Sequence, residues 1–307
     1  MRYLVTGGAG FIGSHIVRAL LEQGDFVRVL DNFSTGRKEN LADLQIDLHE
    51  GDLLDQAAAA SAVKDIDIIF HEAAFVSVPQ SMQTPLVCFA ANQYGTELLL
   101  ESARQAGVKR VVLASSAAVY GNSNLIPLPE DTPLEPLSPY AVSKRVDELY
   151  AQLYTRSFGL EVAALRYFNV YGPRQRPDSM YAAAVPIFSR RLLDGLPITI
   201  YGDGGQTRDL IYVGDVVRAN LAASLHPAAP GQIFNICTGH ETSVSDLVEE
   251  LRRLVPGSAS PIFEPARAGD IYRSVGSPQK AASILGYQAK TDLAAGLKSV
   301  VDWMKSA

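Results

Sequence analysis

A tyrosine and a lysine four residues apart are the side chains of this sequence best suited to chemistry. Tyr140 and Lys144 fall on a predicted helix, where a spacing of four places both on one face. A phenol is a weak base at neutral pH, but a neighbouring ammonium favours its deprotonated form. Ser116 ends a predicted strand, where its hydroxyl could bind the same substrate oxygen. Together these residues predict proton removal from an alcohol, with Tyr140 as the general base.

A glycine-rich turn near the start of the chain predicts a dinucleotide site. Gly7, Gly10 and Gly13 follow a short strand and open a helix, and the first amides of that helix can hold a pyrophosphate. Asp31 ends the next strand, 18 residues after Gly13, close to the spacing of a ribose-binding carboxylate. Such an acid accepts from a 2′-hydroxyl and repels a 2′-phosphate, so we predict NAD rather than NADP. Arg37 weakens this preference only slightly.

The elements that must position these residues alternate between strand and helix. The spacing predicts strands over 3–6, 26–30, 47–50, 66–70, 110–115 and 160–167, and helices over 12–23, 56–63, 85–105 and 139–157. This alternation predicts an α/β fold, a Rossmann-type doubly wound parallel sheet. Residues 1–166 would form the NAD-binding domain, rejoined by a strand and helix over 209–226. Residues 167–307 would mainly form a smaller, interleaved substrate-binding lobe, with the site in the cleft between the two.

Composition narrows the class of protein. The 307 residues carry a net charge of −6, which is unfavourable for nucleic-acid binding. Two distant cysteines make a disulfide framework implausible and favour a reducing, cytoplasmic location. We expect no signal peptide and no membrane span. The five histidines do not cluster as metal ligands would, so no metal site is predicted.

Ordered motifs along nearly the whole chain resemble those of the extended short-chain dehydrogenase/reductases, and within them the nucleotide-sugar 4-epimerases. They are TGGAGFIG (6–13), DNFSTG (31–36), HEAA (71–74), SSAAVYG (115–121), SPYAVSK (138–144), LRYFNVYGPRQ (165–175), GDGGQTRDLIYVGDVV (202–217) and RAGD (267–270). The resemblance implies that hydride passes from the sugar C4 to tightly held NAD and returns on the other face. Tyr140 would take the C4 hydroxyl proton, Ser116 would hold that hydroxyl, and Lys144 would tune Tyr140 and hold the nicotinamide ribose.

The same resemblance implies the binding residues. Those for NAD are Gly7, Gly10, Phe11, Ile12, Gly13, Asp31, Asn32, Ser34, Thr35, Gly36, Asp52, Leu53, Ala73, Ala74, Asn92, Tyr140, Lys144 and Tyr167. For the UDP-sugar, Asn169 would contact the pyrophosphate, Tyr201 the uracil, Arg208 and Arg267 phosphate, and Asp270 the uridine ribose. Ser77, Ser116, Ala183, Val185 and Ser274 complete the substrate set.

Departures from related enzymes bear on the reaction and the substrate. Related 4,6-dehydratases carry an Asp-Glu pair and decarboxylases usually a Glu where this chain has Ala117-Ala118, so both activities are disfavoured. Ser274 stands where epimerases restricted to plain hexoses carry a bulky Tyr, and Val76 replaces a Lys found in many UDP-galactose epimerases. We therefore expect activity on UDP-GlcNAc/UDP-GalNAc, and on UDP-Glc/UDP-Gal as well.

Three further hypotheses remain from the sequence. Arg174 and Arg176 could meet a carboxylate, which would suit UDP-glucuronate 4-epimerase. A silent NAD-binding sensor is a distant alternative, disfavoured because the chain keeps all three catalytic residues. The helices near 85–105 and 139–157 form the dimer contact in the family, so we expect a homodimer. Leu98, Leu99, Leu149 and Leu153 are candidates for its apolar contacts, and packing in the core of the same chain is the alternative for each of them.

Overall fold

A seven-stranded parallel sheet forms the centre of the protein, seen here in a computed structural model that describes residues 1–178, 183–266 and 271–306. The strands in these ranges are β1 (Arg2–Thr6), β2 (Phe26–Asp31), β3 (Asp47–Glu50), β4 (Ile68–His71), β5 (Arg110–Ser116), β6 (Glu161–Tyr167), β7 (Asn169–Tyr171), β8 (Thr199–Tyr201), β9 (Thr207–Arg208), β10 (Leu210–Tyr212), β11 (Ile233–Ile236), β12 (Thr242–Ser243), β13 (Ile262–Glu264) and β14 (Arg273–Ser274).

Eleven α-helices lie within the same described residues. They are α1 (Phe11–Glu22), α2 (Gln56–Ala62), α3 (Val78–Gln83), α4 (Pro85–Phe89), α5 (Gly95–Ala106), α6 (Pro139–Leu153), α7 (Ala184–Leu193), α8 (Val213–Leu225), α9 (Val244–Leu254), α10 (Gln279–Leu285) and α11 (Leu293–Ser306). Short 3₁₀ helices cover Lys38–Asn40 and Ala117–Tyr120, and π-helical turns cover Ala90–Tyr94 and Tyr154–Phe158.

The central sheet has the strand order β11-β6-β5-β4-β1-β2-β3, and every neighbouring pair is parallel. All four residues of β4 and six of the seven in β5 are buried, because a parallel sheet is covered on both faces. The order reverses between β1 and β4, and ligands bind beyond the carboxyl ends of the strands at such a reversal. The Rossmann-type doubly wound fold is therefore confirmed.

Two apolar cores cover the two faces of the sheet. Val5 belongs to one core, which α1, α8 and α10 complete, and Leu4 belongs to the other, which α2, α5 and α6 complete. Alternate residues of a strand point to opposite faces, so neighbouring β1 residues enter different cores. The sheet is thus packed between helical layers on both faces.

A third core forms the smaller lobe. The helices α7, α9 and α11 pack around Leu192, Leu251 and Val301. Short sheets β10-β7, β12-β9-β14 and β13-β8 accompany these helices. The segment expected to rejoin the main sheet does so differently from the prediction: β10 pairs with β7, and only α8 returns, packing on α1. The seventh strand of the main sheet is β11, a short buried strand that pairs with β6. From the sequence alone this segment is predicted to belong to the second lobe.

The predicted helix over 85–105 consists of three pieces, with a π-helical turn between α4 and α5. Within it Leu99 is fully buried in the core, so its assignment to a dimer seam is wrong: Leu99 packs against the sheet of its own chain. Leu149 and Leu153 are 48% and 43% exposed. In the part of the chain described, none of the helices has the length and apolar character needed to span a membrane.

Candidate active site

The glycine-rich turn between β1 and α1 leaves no room for side chains. Gly7 has φ of +67°, which favours glycine, and a Cβ there would lie 2.7 Å from the Ala73 backbone nitrogen. A Cβ on Gly13 would overlap the Gly7 carbonyl oxygen, and one on Gly10 would lie 3.0 Å from it. Close packing within the protein therefore requires these glycines, and the turn leads directly into the N-terminus of α1, where helix amides can hold an anion.

Asp31 fastens this turn to the end of β2. Its Oδ2 accepts from the Ala9 amide at 2.9 Å and its Oδ1 from the Phe33 amide at 2.8 Å. The carboxyl is 7% exposed, and burial raises its pKa although both amides act against that rise. Gly36 lies against the carboxyl, since a Cβ there would be 3.0 Å from Asp31 Oδ1. The acid predicted to bind ribose thus also orders the turn.

Exposed polar groups surround Asp31 at this edge. Asn32 Nδ2 donates to Asp52 Oδ2 at 2.8 Å, which links the loops after β2 and β3, and Leu53 is buried beneath them. Ser34 and Thr35 are exposed. The nearby basic side chains are paired: Arg37 with Asp178 and Lys38 with Glu50, each at 2.8 Å.

Tyr140 lies in the first turn of α6, next to the carboxyl end of the sheet. Ser138 caps the helix by accepting from the Ala141 amide at 3.1 Å, and Pro139 occupies the first helical position, as predicted. Ser81 Oγ accepts from the Tyr140 amide at 3.3 Å. Ser116 ends β5 directly beside Tyr167 of β6, and its half-buried hydroxyl accepts from the Ala118 amide at 3.2 Å.

Lys144 is buried, and protein acceptors direct its ammonium. Nζ donates to the Ala114 carbonyl oxygen at 3.0 Å and to Asp147 Oδ2 at 3.2 Å. Burial lowers the pKa of Lys144, but the negative charges of Asp147, Tyr140 and Glu72 raise it by more. The pKa of Lys144 is therefore above its usual value. The contact with Ala114 ties α6 to β5 two residues before Ser116.

Asp147 is fully buried, and desolvation raises its pKa to about 6 against the opposing effect of Lys144. The Thr96 hydroxyl lies near Asp147 and also lowers that pKa. By strict hydrogen-bond geometry, however, Asp147 Oδ1 has no partner among the described residues. Thr96 Oγ1 lies 2.9 Å from His71 Nε2, and His71 Nδ1 lies 2.7 Å from Thr6 Oγ1. Burial, and then the Lys144 charge, lower the pKa of His71 to about 3.

A second polar cluster lies where β4, β6 and α8 meet. Tyr167 OH donates to Glu72 Oε1 at 2.8 Å, and Asn220 Nδ2 donates to Tyr167 OH at 2.8 Å. Burial raises the pKa of Glu72 to about 7, while Tyr167 and Lys144 act to lower it. The next residues along the chain, Ala73 and Ala74, are partly buried beside the glycine turn.

Asn92 lies in the π-helical turn and is almost fully buried. Its Oδ1 accepts from the Phe75 amide at 2.7 Å, and its Nδ2 donates to the Phe75 carbonyl at 3.0 Å and to Ser143 Oγ at 2.9 Å. The amide is therefore committed to holding the loop after β4 against α6. Ser77 in the same loop caps α3 by accepting from the Gln80 amide at 3.2 Å.

Arg208 and Ser274 lie next to each other in the smaller lobe, since they are register partners in parallel strands β9 and β14. Asn169 is exposed at the start of β7, and its amide donates to the Asp209 carbonyl at 3.0 Å. Tyr201 ends β8, and its carbonyl accepts from Gln206 Nε2 at 2.8 Å. Four of the predicted substrate residues thus lie on the short strands of the smaller lobe.

The remaining predicted substrate residues differ in position. Ala183 is exposed immediately before α7, whereas Val185 is 2% exposed, and its side chain packs inside the core of the smaller lobe. Arg267 and Asp270 lie outside the described residues. Within 1–178, 183–266 and 271–306, no group of three His, Cys, Asp or Glu side chains could hold a metal ion.

Sequence reasoning missed two acids near the sheet edge, the buried Asp147 and the partly buried Glu72. Asp147 falls three residues after Lys144, so the helical spacing that paired Tyr140 with Lys144 also places Asp147 near that lysine. Glu72 follows directly on the last residue of β4, a position that faces the ligand-binding edge of the sheet.

The model of the NAD dependent epimerase/dehydratase family matches residues 3–237. The chain belongs to this family. A putative UDP-glucose 4-epimerase of Methanocaldococcus jannaschii is 42% identical over 99% of this chain and 98% of its own length. These matches confirm the resemblance to extended short-chain dehydrogenase/reductases.

Solved structures of the epimerase/dehydratase family superpose along the whole chain. The UDP-N-acetylglucosamine 4-epimerase of Methanobrevibacter ruminantium, in complex with UDP-N-acetylmuramic acid, gives a TM-score of 0.95 at 36% identity and covers 99% of this chain and 98% of its own. The UDP-glucose 4-epimerase of Thermus thermophilus, in complex with NAD, gives 0.91 at 39% identity and covers 100% of both chains. NAD is the cofactor of this family, and the side-chain-free cradle at Gly7, Gly10 and Gly13 fits its pyrophosphate.

Proposed function

We propose that the protein is a UDP-sugar 4-epimerase that interconverts UDP-GlcNAc with UDP-GalNAc and also UDP-Glc with UDP-Gal. The observation that carries this proposal is the contact of Lys144 with the Ala114 carbonyl oxygen. It places the start of α6, which bears Tyr140, against the end of β5, which bears Ser116, in the sheet that also leads into the glycine-rich turn. Ala117-Ala118, directly after Ser116, offer no acid for eliminating water. Reversible oxidation of an alcohol therefore fits the site better than dehydration.

Each residue has a defined part in this reaction. Bound NAD supplies a reversible hydride acceptor. Tyr140 takes the proton of the sugar C4 hydroxyl and later returns it, while Ser116 holds that hydroxyl through a hydrogen bond. The charged Lys144 favours the Tyr140 phenolate and would donate to the nicotinamide ribose of bound NAD. Residues 1–166, together with α8, would mainly hold the cofactor. Residues 167–307 would mainly hold the UDP-sugar, apart from β11, which joins the central sheet.

The smaller lobe supports a grip on the nucleotide. Arg208, with its planar guanidinium, suits phosphate. Asn169 is the register partner of Leu210, two residues after Arg208, and the Tyr201 carbonyl accepts from Gln206, two residues before Arg208. Ser274 next to Arg208 is small, which favours room for a 2-acetamido group. The similarity to an N-acetylglucosamine 4-epimerase supports the same choice.

A glucuronate epimerase is the second candidate, and one observation bears on it. Arg176 is already committed to Asp178 at 3.0 Å, whereas the Arg174 guanidinium lies 3.4 Å from His15 Nδ1. Of these two arginines, Arg174 is the one with no carboxylate ion pair among the described residues, so it is the better candidate to meet a substrate carboxylate.

A panel of UDP-sugars tests both candidates. Purified protein is given UDP-GlcNAc, UDP-GalNAc, UDP-Glc, UDP-Gal and UDP-glucuronate, the product sugars are separated by chromatography, and the nucleotide released on denaturation is identified. We expect C4 epimers of the acetylated and plain hexoses, and NAD in the released fraction. Turnover of UDP-galactose alone would contradict the acetyl assignment, and turnover of UDP-glucuronate alone would establish the alternative. Tyr140→Phe is the control, and it should abolish turnover while NAD remains bound.

A homodimer through α4 and α6 completes the proposal. Leu86 and Val87 on α4 are 79% and 56% exposed, and Leu149 and Leu153 on α6 are also exposed. These apolar side chains would be covered by the same helices of a second copy. Light scattering of the wild type and of the double variant Leu149→Glu/Leu153→Glu tests this contact. A wild-type mass of one chain at micromolar concentration would contradict it.

A further inference from the structure

The Lys144 ammonium has three N–H donors, and the protein engages two of them. One goes to the Ala114 carbonyl oxygen on β5 and one to the Asp147 carboxylate, one turn further along α6. These two contacts leave one donor for an incoming hydroxyl. The direction of the ammonium is therefore set by the protein before any ligand binds.

Burial of the Asp147 carboxylate has a free-energy cost for folding. Its side chain is fully buried, and one carboxylate oxygen has no hydrogen-bond partner among the described residues. A buried, half-satisfied carboxylate destabilises a fold unless a nearby positive charge compensates it. Lys144 is the cation that contacts it, at 3.2 Å.

A chain of short contacts leads from Asp147 to the cofactor turn. Thr96 on α5 faces Asp147 and contacts the His71 ring, and the other nitrogen of that ring contacts Thr6, the residue directly before Gly7. His71 stays neutral at physiological pH because burial lowers its pKa to about 3. The contacts fix the position of Asp147 relative to both the dinucleotide turn and α6.

We propose that Asp147 is a positioning residue for the epimerase reaction: it keeps Lys144 charged and directs its one remaining donor toward the reacting groups. This inference rests on the proposed role of Lys144. The charged and titratable groups that face Lys144 are Asp147 and Tyr140 on α6, His71 at the end of β4, Glu72 directly after it, and Cys88 on α4. Of these, Asp147 makes the ion pair with it, so its removal leaves a buried ammonium that loses its proton more easily.

Asp147→Asn keeps the size of the side chain and removes its charge. Once Lys144 begins to lose its proton, the ratio of variant to wild-type kcat should fall with rising pH, by up to about tenfold per unit. The KM for the UDP-sugar should stay within about twofold, since a residue that acts through Lys144 changes the reacting state rather than substrate binding. Ser143→Ala is the matched control, because it removes a buried polar group from the same helix without a change in charge. Its ratio to wild type should not vary with pH.

Binding of NAD to nucleotide-free protein, measured by calorimetry at pH 7 and 9.5, supplies a second readout. The affinity of Asp147→Asn should fall between these values more than that of wild type, and Asp147→Ser serves if the Asn variant does not fold. A pH-independent kcat ratio together with unchanged NAD affinity in the folded variant would overturn the proposal. Lys144→Met distinguishes a failure of the proposed function from a failure of the Asp147 proposal. If Lys144→Met stays active, the proposed role of Lys144 itself is wrong.

Discussion

Asp31 Oδ2 accepts a hydrogen bond from the Ala9 amide at 2.9 Å, which joins the end of β2 to the dinucleotide turn. The same carboxyl accepts from Phe33, so it holds two backbone segments while facing the expected ribose position. A neutral amide has only one oxygen and would turn an N–H toward one of these donors.

Asp31→Asn should therefore weaken NAD binding about tenfold, the loss of a charge-assisted hydrogen bond. The affinity for NADP should change less, because the 2′-phosphate no longer meets a negative charge. Calorimetric titration of nucleotide-free protein with both cofactors measures this. Asp43→Asn, an exposed acid paired with Arg18, is the control, and equal NAD affinities for Asp31→Asn and wild type would refute the prediction.

Gly13→Ala should prevent tight cofactor binding, since the new methyl group overlaps the Gly7 carbonyl oxygen. Forcing the turn apart should lower the free energy of unfolding by about 1–3 kcal/mol. Gly95→Ala is the control, because its Cβ would meet nothing closer than 3.6 Å within a helix. Urea unfolding and the amount of bound nucleotide report the two effects, and a Gly13→Ala protein that retains NAD as well as Gly95→Ala would contradict the argument.

Glu72→Gln should remove a pH dependence of stability. The folded-state pKa of Glu72 is about 7 and its unfolded value is near 4.5, so wild type loses stability as pH rises from about 4.5 to about 7. Above pH 7 the loss amounts to about 3 kcal/mol, and below pH 4.5 it vanishes. The Gln side chain can still accept from Tyr167. The free energy of unfolding of the variant, relative to that of wild type, should therefore be higher at pH 8 than at pH 5.

Urea unfolding of Glu72→Gln and wild type at these two pH values checks the sign. Glu39→Gln, in the exposed 3₁₀ helix after β2, should show no such difference. A stability difference that is the same at pH 5 and pH 8 would show that Glu72 does not titrate in this range.

Ser274→Tyr should lose acetylated substrates selectively. The larger ring would occupy the space beside Arg208 that the 2-acetamido group needs, so kcat/KM for UDP-GlcNAc should fall at least about tenfold relative to UDP-Glc. Chromatographic assays with both substrates measure the ratio. Ser283→Tyr on the exposed face of α10 controls for the added ring, and parallel losses on both substrates would mean that Ser274 does not set the choice.

Arg166→Met should destabilise the fold by about 3–5 kcal/mol, because it leaves the buried Glu148 carboxylate without its main partner. The guanidinium contacts both carboxylate oxygens, at 2.6 and 2.9 Å, and also Tyr120 OH at 2.8 Å. Arg104→Met breaks an exposed pair with Glu101 and should change little. Chemical denaturation compares the two, and a similar effect for both would contradict the buried-charge argument.

The sheet and the cofactor turn could be predicted because their signals are local. Buried strands appear as apolar runs, and the turn needs glycines at fixed offsets, so β1 to β6 and the cradle follow from neighbouring residues. The strand β11 could not be assigned in the same way, since a four-residue apolar run does not say which sheet it joins. The same limit applies to Leu99: helical spacing shows an apolar face, but only packing shows whether the face meets the sheet or another chain.

The candidate site was predicted where residue types have few alternative uses. Tyr140 with Lys144 and Asp31 after the turn are of this kind. Asp147 was missed because an aspartate three residues from a lysine on a helix is usually a solvated pair, and its complete burial depends on α5 and β4, which are distant in sequence.

Asp209, the neighbour of Arg208, accepts from the Thr238 amide and hydroxyl at 2.8 and 2.7 Å, from the Gly239 amide at 2.9 Å and from the Gly276 amide at 3.3 Å. These bonds tie the strand of Arg208 to the segment that follows β11 of the main sheet. Hydrogen bonds therefore connect the two lobes close to Arg208, the proposed phosphate-binding residue. If the protein binds nucleotide sugars as proposed, we expect their exchange to involve movement of individual loops more than separation of the two lobes near Arg208.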